Sequence, residues 1–179
     1  MRVLALDPGA ARMGWAVIEG GKGQQATWIA SGIAGLDRER ADNEKYQPYR
    51  LRLIEYWALA SGPFLDTYTP DFVANEIIPP ATGRAFKSNG VQGQLAATAI
   101  TALHTMAAAR NIQIKQFGAT SIKKAIAGDS EATKVGVRNG VYALIPELKD
   151  MKHHLWTKKE WMDESDACAT ALVALGYKA

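Results

Sequence analysis

The chain has 179 residues, 47% of them hydrophobic, with 21 Lys and Arg against 18 Asp and Glu. That length suits one domain, residues 1–179, with a core that needs no metal or disulfide staple, and its one cysteine, Cys168, excludes an internal disulfide framework. No stretch reaches the ~20 uncharged apolar residues of a membrane span, and the opening MRVLALDPG lacks the long apolar core of a signal peptide, so a cytoplasmic, reducing setting is expected.

Arg2 to Leu6 is a continuous apolar run stopped by Asp7-Pro8-Gly9, the pattern of a strand buried on both faces. Residues 13–19 and 25–34 read as two more strands, with Gly20-Gly21-Lys22-Gly23 forming a hairpin between them. Polar residues 37–48 lead into a helix on which Tyr49, Leu53, Tyr56, Trp57 and Ala60 make one apolar stripe. Residues 72–78 (FVANEII), bounded by Pro70 and by Pro79-Pro80, form a fourth strand, and 81–90 read as a mobile loop. The Ala- and Leu-rich segment 91–110 favours a long, largely buried helix. Residues 112–117 alternate apolar and polar as a half-exposed strand does. Shorter helices follow at about 120–127 and 131–145, broken at Gly128 and stopped by Pro146, and a last helix spans about Asp163 to Leu175. Three strands followed by strand-helix alternation predict an α/β fold, one mixed five-stranded sheet with helices on its faces.

The net charge of +3 is unevenly spread. Residues 110–140 carry Arg110, Lys115, Lys123, Lys124, Lys134 and Arg138 against Asp129 and Glu131, a net +4 that leaves −1 for the rest. Such a segment suits a surface that attracts polyanions, and equally a solvated helical face.

Four carboxylates stand where the pattern is otherwise apolar. Asp7 closes the first strand, Glu76 lies near the end of FVANEII, and Asp163 and Asp166 share a face of the last helix at i and i+3. Acids at strand ends and a helix start can converge at one sheet edge. Their mutual repulsion and desolvation are relieved by a divalent cation, and Mg²⁺ takes one or two carboxylates together with phosphate oxygens. Four acids suffice for two ions, a pair able to activate water and stabilise a departing oxygen in phosphodiester hydrolysis. Each acid also has a structural explanation: Asp163 and Asp166 as first-turn charges on the helix dipole, Asp7 as a turn residue, Glu76 as the partner of a nearby Lys.

With these residues in view, the chain resembles the RuvC-type Holliday-junction resolvases of the ribonuclease H-like superfamily. LALDPGAARMGWAVIE is similar to that family's first strand, acid, Pro-Gly turn and second strand; VANEII supplies its Glu, and DESDACATALVAL its D-x-x-D-A helix. IKKAIAGDSEATKVGV is similar to a further family signature, with Lys123, Ala125, Gly128 and Lys134 in the corresponding places. The resemblance covers nearly the whole chain in the family's order.

It implies a homodimer on a branched, four-way DNA junction, each subunit nicking one strand with Mg²⁺ or Mn²⁺, two ions per site, and leaving 5′-phosphate and 3′-hydroxyl ends. Asp7, Glu76, Asp163 and Asp166 are then the metal ligands, with Lys123 and Lys134 on phosphates near the scissile bond. Further DNA contacts are expected from Lys124 and Arg138 in the basic segment and from Arg84, Phe86 and Lys87 in the loop after Glu76. Two features depart from the family pattern. Pro79 stands where an aromatic wedge is usual, leaving Phe86 as a substitute or as a packing residue, and residues 147–162 are longer than the usual link. That link carries His153 and His154, read as surface residues, in a basic-aromatic mixture that suits DNA contact or a packed excursion. Other readings of the same acids are a nuclease on three-way, flap or RNA substrates and a junction-binding protein without turnover. The actin-like phosphotransferases need two such domains, so no nucleotide cofactor is expected.

Overall fold

The computed structural model describes residues 1–7, 12–35, 46–78, 84–150 and 158–178. Its centre is a five-stranded sheet of β1 (Arg2–Asp7), β2 (Arg12–Glu19), β3 (Thr27–Gly35), β4 (Phe72–Glu76) and β5 (Gln113–Phe117), in spatial order β3-β2-β1-β4-β5. The pairs β1–β2 and β2–β3 are antiparallel, while β1–β4 and β4–β5 are parallel. This is the mixed sheet expected from the element order. The all-apolar run of β1 occupies its centre, and alternating β5 lies at an edge, with a half-exposed pattern.

Strand alternation divides the core into two layers. Val3, Ala5, Ala16, Ile18, Phe72 and Ala74 face helices α3 (Ala119–Ala127), α4 (Lys134–Leu144), the short α5 (Glu147–Asp150) and α6 (Lys158–Ala174). Leu4, Leu6, Met13, Val17 and Val73 face α1 (Tyr46–Tyr68) and α2 (Arg84–Ala108) on the other side. Both layers hold residues that are fully enclosed, among them Val3, Leu4, Ile18, Trp57 and Leu172.

Helix α4 starts at Lys134, three residues later than expected, with Thr133 as its cap, and three other helices run beyond the residues expected of them. Helix α1 continues to Tyr68 through Pro63, because Phe64, Leu65 and Tyr68 extend its apolar stripe onto the sheet and packing outweighs the lost backbone hydrogen bond. Helix α2 begins at Arg84, so residues 84–90, expected in a loop, are helical: Ala85, Lys87 and Ser88 tolerate helix, and Gly90 and Gly93 are carried within a long element. Helix α6 begins at Lys158, a full turn before Asp163, since Lys158, Lys159, Glu160 and Met162 are good helix formers. The hairpin between β2 and β3 is present, and β3 bulges opposite the Val17/Ile18 step. No helix among the described residues is long and apolar enough to cross a membrane.

Candidate functional site

Because β1 and β4 are parallel neighbours, their C-terminal residues emerge at the same sheet edge. Asp7 and Glu76 are those residues, one step beyond the paired Leu6 and Asn75. Alternation sends Asp7 the way of Val3 and Ala5, and Glu76 the way of Phe72 and Ala74, onto the face that α6 covers. Helix α6 brings Asp163 and Asp166 to the same edge. One oxygen each from Asp7, Asp163 and Asp166 lie within 4.8 Å of one another. Glu76 lies outside that trio but lines the same pocket, of about 250 Å³, together with Asp7, Asp166, Lys123 and Lys134.

The helix start expected at Asp163 bears on the role of its acids. With α6 beginning at Lys158, both Asp163 and Asp166 lie beyond the first turn, where the macrodipole no longer rewards a negative charge. Their explanation as first-turn charges is thereby corrected. They crowd against other carboxylates instead.

The approach of α6 to the sheet depends on a missing side chain. Gly14 pairs with Asp7 across the β1–β2 ladder, and a Cβ there would collide with the backbone carbonyl of Asp163. Helix α6 is also held from its other side. Glu164 turns away from the pocket into the protein and accepts a hydrogen bond from the Ser31 hydroxyl on β3, which itself accepts one from the Trp28 indole at 2.8 Å. A buried carboxylate needs such partners, so β3 fixes the segment from which Asp163 and Asp166 project.

The two lysines reach the pocket from a helical hairpin. Gly128 closes α3 in the left-handed conformation (φ 75°), and Thr133 caps α4 by accepting from Gly136 N–H at 3.2 Å, placing Lys134 in the first helical position. A Cβ at Gly140 would overlap the Ile126 carbonyl, so α4 rests directly on α3. Lys134 Nζ is 2.7 Å from Asp166 Oδ2 and 3.3 Å from Asp163 Oδ1.

Burial and mutual repulsion govern the protonation of these groups. Burial first, then the charge of Asp166, pushes the Asp7 carboxyl from 3.8 up to about 8, against the opposing pull of Lys134. Glu76 and Asp166 are raised as well, mainly by burial, with Lys134 and Lys123 opposing. Burial works against the charged form of Lys134, but the hydrogen bond and charge of Asp166 prevail and hold its ammonium above the usual lysine range. The cluster is thus short of positive charge even with Lys134 among its members. Its donors are all oxygens, the set that Mg²⁺ and Mn²⁺ accept.

The rest of the basic segment is dispersed. Arg110 pairs with Asp66 at 2.9 and 3.1 Å, and the Lys115 ammonium lies 3.6 Å from the centre of the Phe72 ring. Lys124 is exposed in the last turn of α3, and Arg138 lies 5.9 Å from the Tyr142 ring. Neither lines the pocket, so the +4 segment is not one surface. Arg84, Phe86 and Lys87 have helical backbone in α2, and their side chains lie outside the described residues. So do Pro79, Pro80, His153, His154 and most of the basic-aromatic link.

Sequence reasoning missed the residues that support the acids. Gly14 and Gly140 leave their mark as glycines inside a strand and a helix, positions that favour close backbone approach. Asn75, an amide in the apolar run FVANE, and Glu164, a carboxylate whose neighbour Asp163 faces the opposite way, are polar residues at buried positions.

A family model described as "Crossover junction endodeoxyribonuclease RuvC" matches residues 3–174. Among curated relatives, the crossover junction endodeoxyribonuclease RuvC of Corynebacterium efficiens is 31% identical over 137 residues, which cover 75% of this chain and 54% of that protein. The protein of the same name from Saccharopolyspora erythraea is 33% identical over 135 residues, covering 75% and 60% of the two chains. The chain therefore spans a little over half the length of these relatives. Among solved structures, Thermus thermophilus RuvC in complex with a Holliday junction substrate superposes with a TM-score of 0.69 at 20% identity, over 96% of this chain and 91% of that one.

Proposed function

The chain belongs to the crossover junction endodeoxyribonuclease RuvC family, and on that footing we propose that it is a structure-selective endodeoxyribonuclease resolving four-way DNA junctions. The observation that carries this reading is the convergence of Asp7, Asp163 and Asp166 oxygens within 4.8 Å, two of these acids, Asp7 and Asp166, lining a pocket with Glu76, Lys123 and Lys134. Asp7, Glu76, Asp163 and Asp166 would hold Mg²⁺, two ions per site, with Mn²⁺ able to substitute. Held there, the metal would supply the means to activate a water and stabilise the departing oxygen in phosphodiester hydrolysis, with 5′-phosphate and 3′-hydroxyl ends as the products.

The protein's own part is charge and position. Asp7 presents its carboxylate from the stiff end of a central strand, so a bound cation is held in fixed register with the sheet. Lys134 pairs with Asp163 and Asp166, offsetting part of their charge, and stands ready to contact an incoming phosphate, and Lys123 faces the same pocket from α3. As point charges on flexible stems, both lysines engage phosphate without reading bases. Residues 1–179 are read as one nuclease domain with one set of acids. Two coordinated cuts then need two chains related by a twofold axis, so the working unit is a homodimer. The bacterial origin of the named relatives and the DNA substrate support a cytoplasmic site of action.

The carboxylates act on any phosphodiester, so branch preference is the property to measure. Four-way, three-way, flap and linear substrates are compared at one fixed salt concentration, since phosphate-driven affinity falls steeply with ionic strength. Preferential, paired nicking of the four-way junction is expected. Equal cutting of flaps or of RNA would move the assignment to a general branch or RNA nuclease, and tight junction binding without nicking in Mg²⁺ or Mn²⁺ would make the protein a binding factor.

A further inference from the structure

Glu76 is the acid that stands apart from the trio, and it is the last residue of its strand. What fixes it matters, because each strand-end acid is paired on one side alone, Asp7 with Gly14 on β2 and Glu76 with Phe117 on β5, while the β1–β4 pairing stops one step short of both. The preceding residue, Asn75, faces the opposite layer of the sheet and is completely buried. Its neighbours along the strand are Phe72, Val73 and Ala74, so an amide here incurs a desolvation cost unless both of its ends are bonded. Both are. Asn75 Nδ2 donates to the main-chain carbonyl of Glu76 at 2.8 Å, and Asn75 Oδ1 lies 2.8 Å from His104 Nε2 on α2.

The donor directions follow from this chain of bonds. An amide that donates through Nδ2 presents Oδ1 as an acceptor, so His104 must donate from Nε2. Burial lowers the His104 pKa and favours the neutral ring, which then carries its proton on Nε2. The relay thus runs from the α2 imidazole, through the Asn75 amide, to the carbonyl of Glu76. It links a helix on one face of the sheet to the carboxylate that points out of the other.

We propose that His104, acting through Asn75, is a positioning residue that sets the orientation of Glu76 and thereby the affinity of the acidic pocket for divalent metal. This rests on the reading of Glu76 as a metal ligand. His104 touches neither the pocket nor its acids, which separates its effect from direct ligation. Losing its donor leaves the buried Asn75 oxygen without the bond seen here, and the amide no longer holds the Glu76 carbonyl.

The test measures Mn²⁺ binding to the full chain by calorimetry, without DNA, for the natural protein, His104→Leu and His104→Gln. His104 is half-buried, so leucine can occupy its place without a fully enclosed cavity, and thermal melts check that each variant is folded. Removing an outer partner of a metal ligand commonly weakens binding by roughly 10-fold or more, so His104→Leu is expected to raise the Mn²⁺ Kd roughly 10-fold. The half-saturating Mg²⁺ for cleavage should rise in parallel while kcat at saturating metal changes little. His104→Gln, which keeps an N–H donor at similar reach, should recover most of the affinity. Asn75→Ala, if folded, should match His104→Leu. Natural Mn²⁺ affinity in folded His104→Leu, or no recovery in His104→Gln, overturns the proposal alone. Absence of Mn²⁺ binding by the natural chain overturns both this proposal and the metal-nuclease reading. Metal binding with cutting of another branch type leaves the relay supported and corrects only the substrate.

Discussion

The two faces of the central sheet are built from different side chains. On the face of α1 and α2 the packing is bulky: Trp15 meets Phe64 edge-on at 4.9 Å, Tyr56 meets Trp57 at 4.8 Å, and Leu4, Leu65 and Leu103 fill between them. On the face of α6 the strands offer Val3, Ala5, Ala16 and Ala74, and the helix answers with Ala167, Cys168, Ala169 and Ala171. Small residues let backbones approach, and helix-to-sheet distance follows the size of the side chains between them. At Gly14 even a methyl group finds no room. The face of α6 still buries large side chains, Ile18, Phe72 and Leu172 among them, but beneath the helix itself bulk gives way to close approach, which brings acids on two strands and a helix to one sheet edge. Cys168 belongs to this small-residue packing, and burial raises its thiol pKa well out of the reactive range.

This contrast can be broken most severely at the acids. Asp7→Asn keeps the shape of the side chain and is expected to lower the single-turnover cleavage rate roughly 10³-fold, about 4 kcal/mol of lost metal-assisted stabilisation. The same variant should melt at a higher temperature than the natural chain at pH 8 without metal, because it removes a carboxylate that is costly to ionise. Calorimetric melts beside rate measurements check both signs.

Gly14→Ala tests the close approach itself. Its methyl group must displace the Asp163 carbonyl or the strand, and a shift of about 1 Å in a catalytic group costs roughly 10²-fold in rate. Loss of rate should come with a lower Tm, whereas Gly23→Ala, strained only by its left-handed turn conformation (φ 80°) and with no atom near its Cβ, should lower Tm without a loss of rate.

A pH titration of stability in the absence of metal is the gentler probe. The folded Asp7 pKa of about 8 lies above its unfolded value near 3.8, so between these the native state holds more protons than the unfolded chain. Asp7's contribution to stability is full below about pH 3.8 and is lost as pH rises to about 8, and Glu76 and Asp166 act in the same direction. Saturating Mg²⁺ should flatten this decline, most strongly at the alkaline end, because cation and proton compete for the same oxygens. Melts from pH 5 to 9 with and without Mg²⁺ measure it.

The smallest effect on chemistry belongs to the bulky face. Leu103→Ala is expected to destabilise by about 2–5 kcal/mol in denaturant titrations, while kcat measured well below the melting temperature stays within about twofold. A large rate loss there would show that the faces are not separable.

Much of this arrangement was legible in the chain. The apolar run of β1, the Pro-bounded β4 and the alternating β5 fixed a mixed sheet, and two parallel strands ending in acids placed Asp7 and Glu76 at one edge. Local pattern places the start of α6 a turn late because Asp163 resembles a helix-opening acid, while Lys158 and Lys159 read as part of a basic link. The start of α2 was hidden by Gly90 and Gly93, which local preference counts against helix. Charge counting leaves the basic segment open between one surface and a solvated face, because it ignores partners: Asp66 for Arg110 and Phe72 for Lys115 are distant in the chain. The relay of His104 and Asn75, and the anchor of Ser31 and Glu164, join residues 29 and 133 positions apart, contacts that no local pattern encodes.

The central claim is that four carboxylates gathered at one sheet edge form a divalent-metal centre that cuts DNA. Its most direct test is single-turnover cleavage of a synthetic four-way junction across a Mg²⁺ titration, with the natural chain and Asp7→Asn side by side. Saturable, Mg²⁺-dependent nicks placed symmetrically across the junction, with 5′-phosphate ends and a roughly 10³-fold lower rate for Asp7→Asn, are predicted. Nicking that persists in chelator, or an Asp7→Asn rate equal to that of the natural chain, would contradict it.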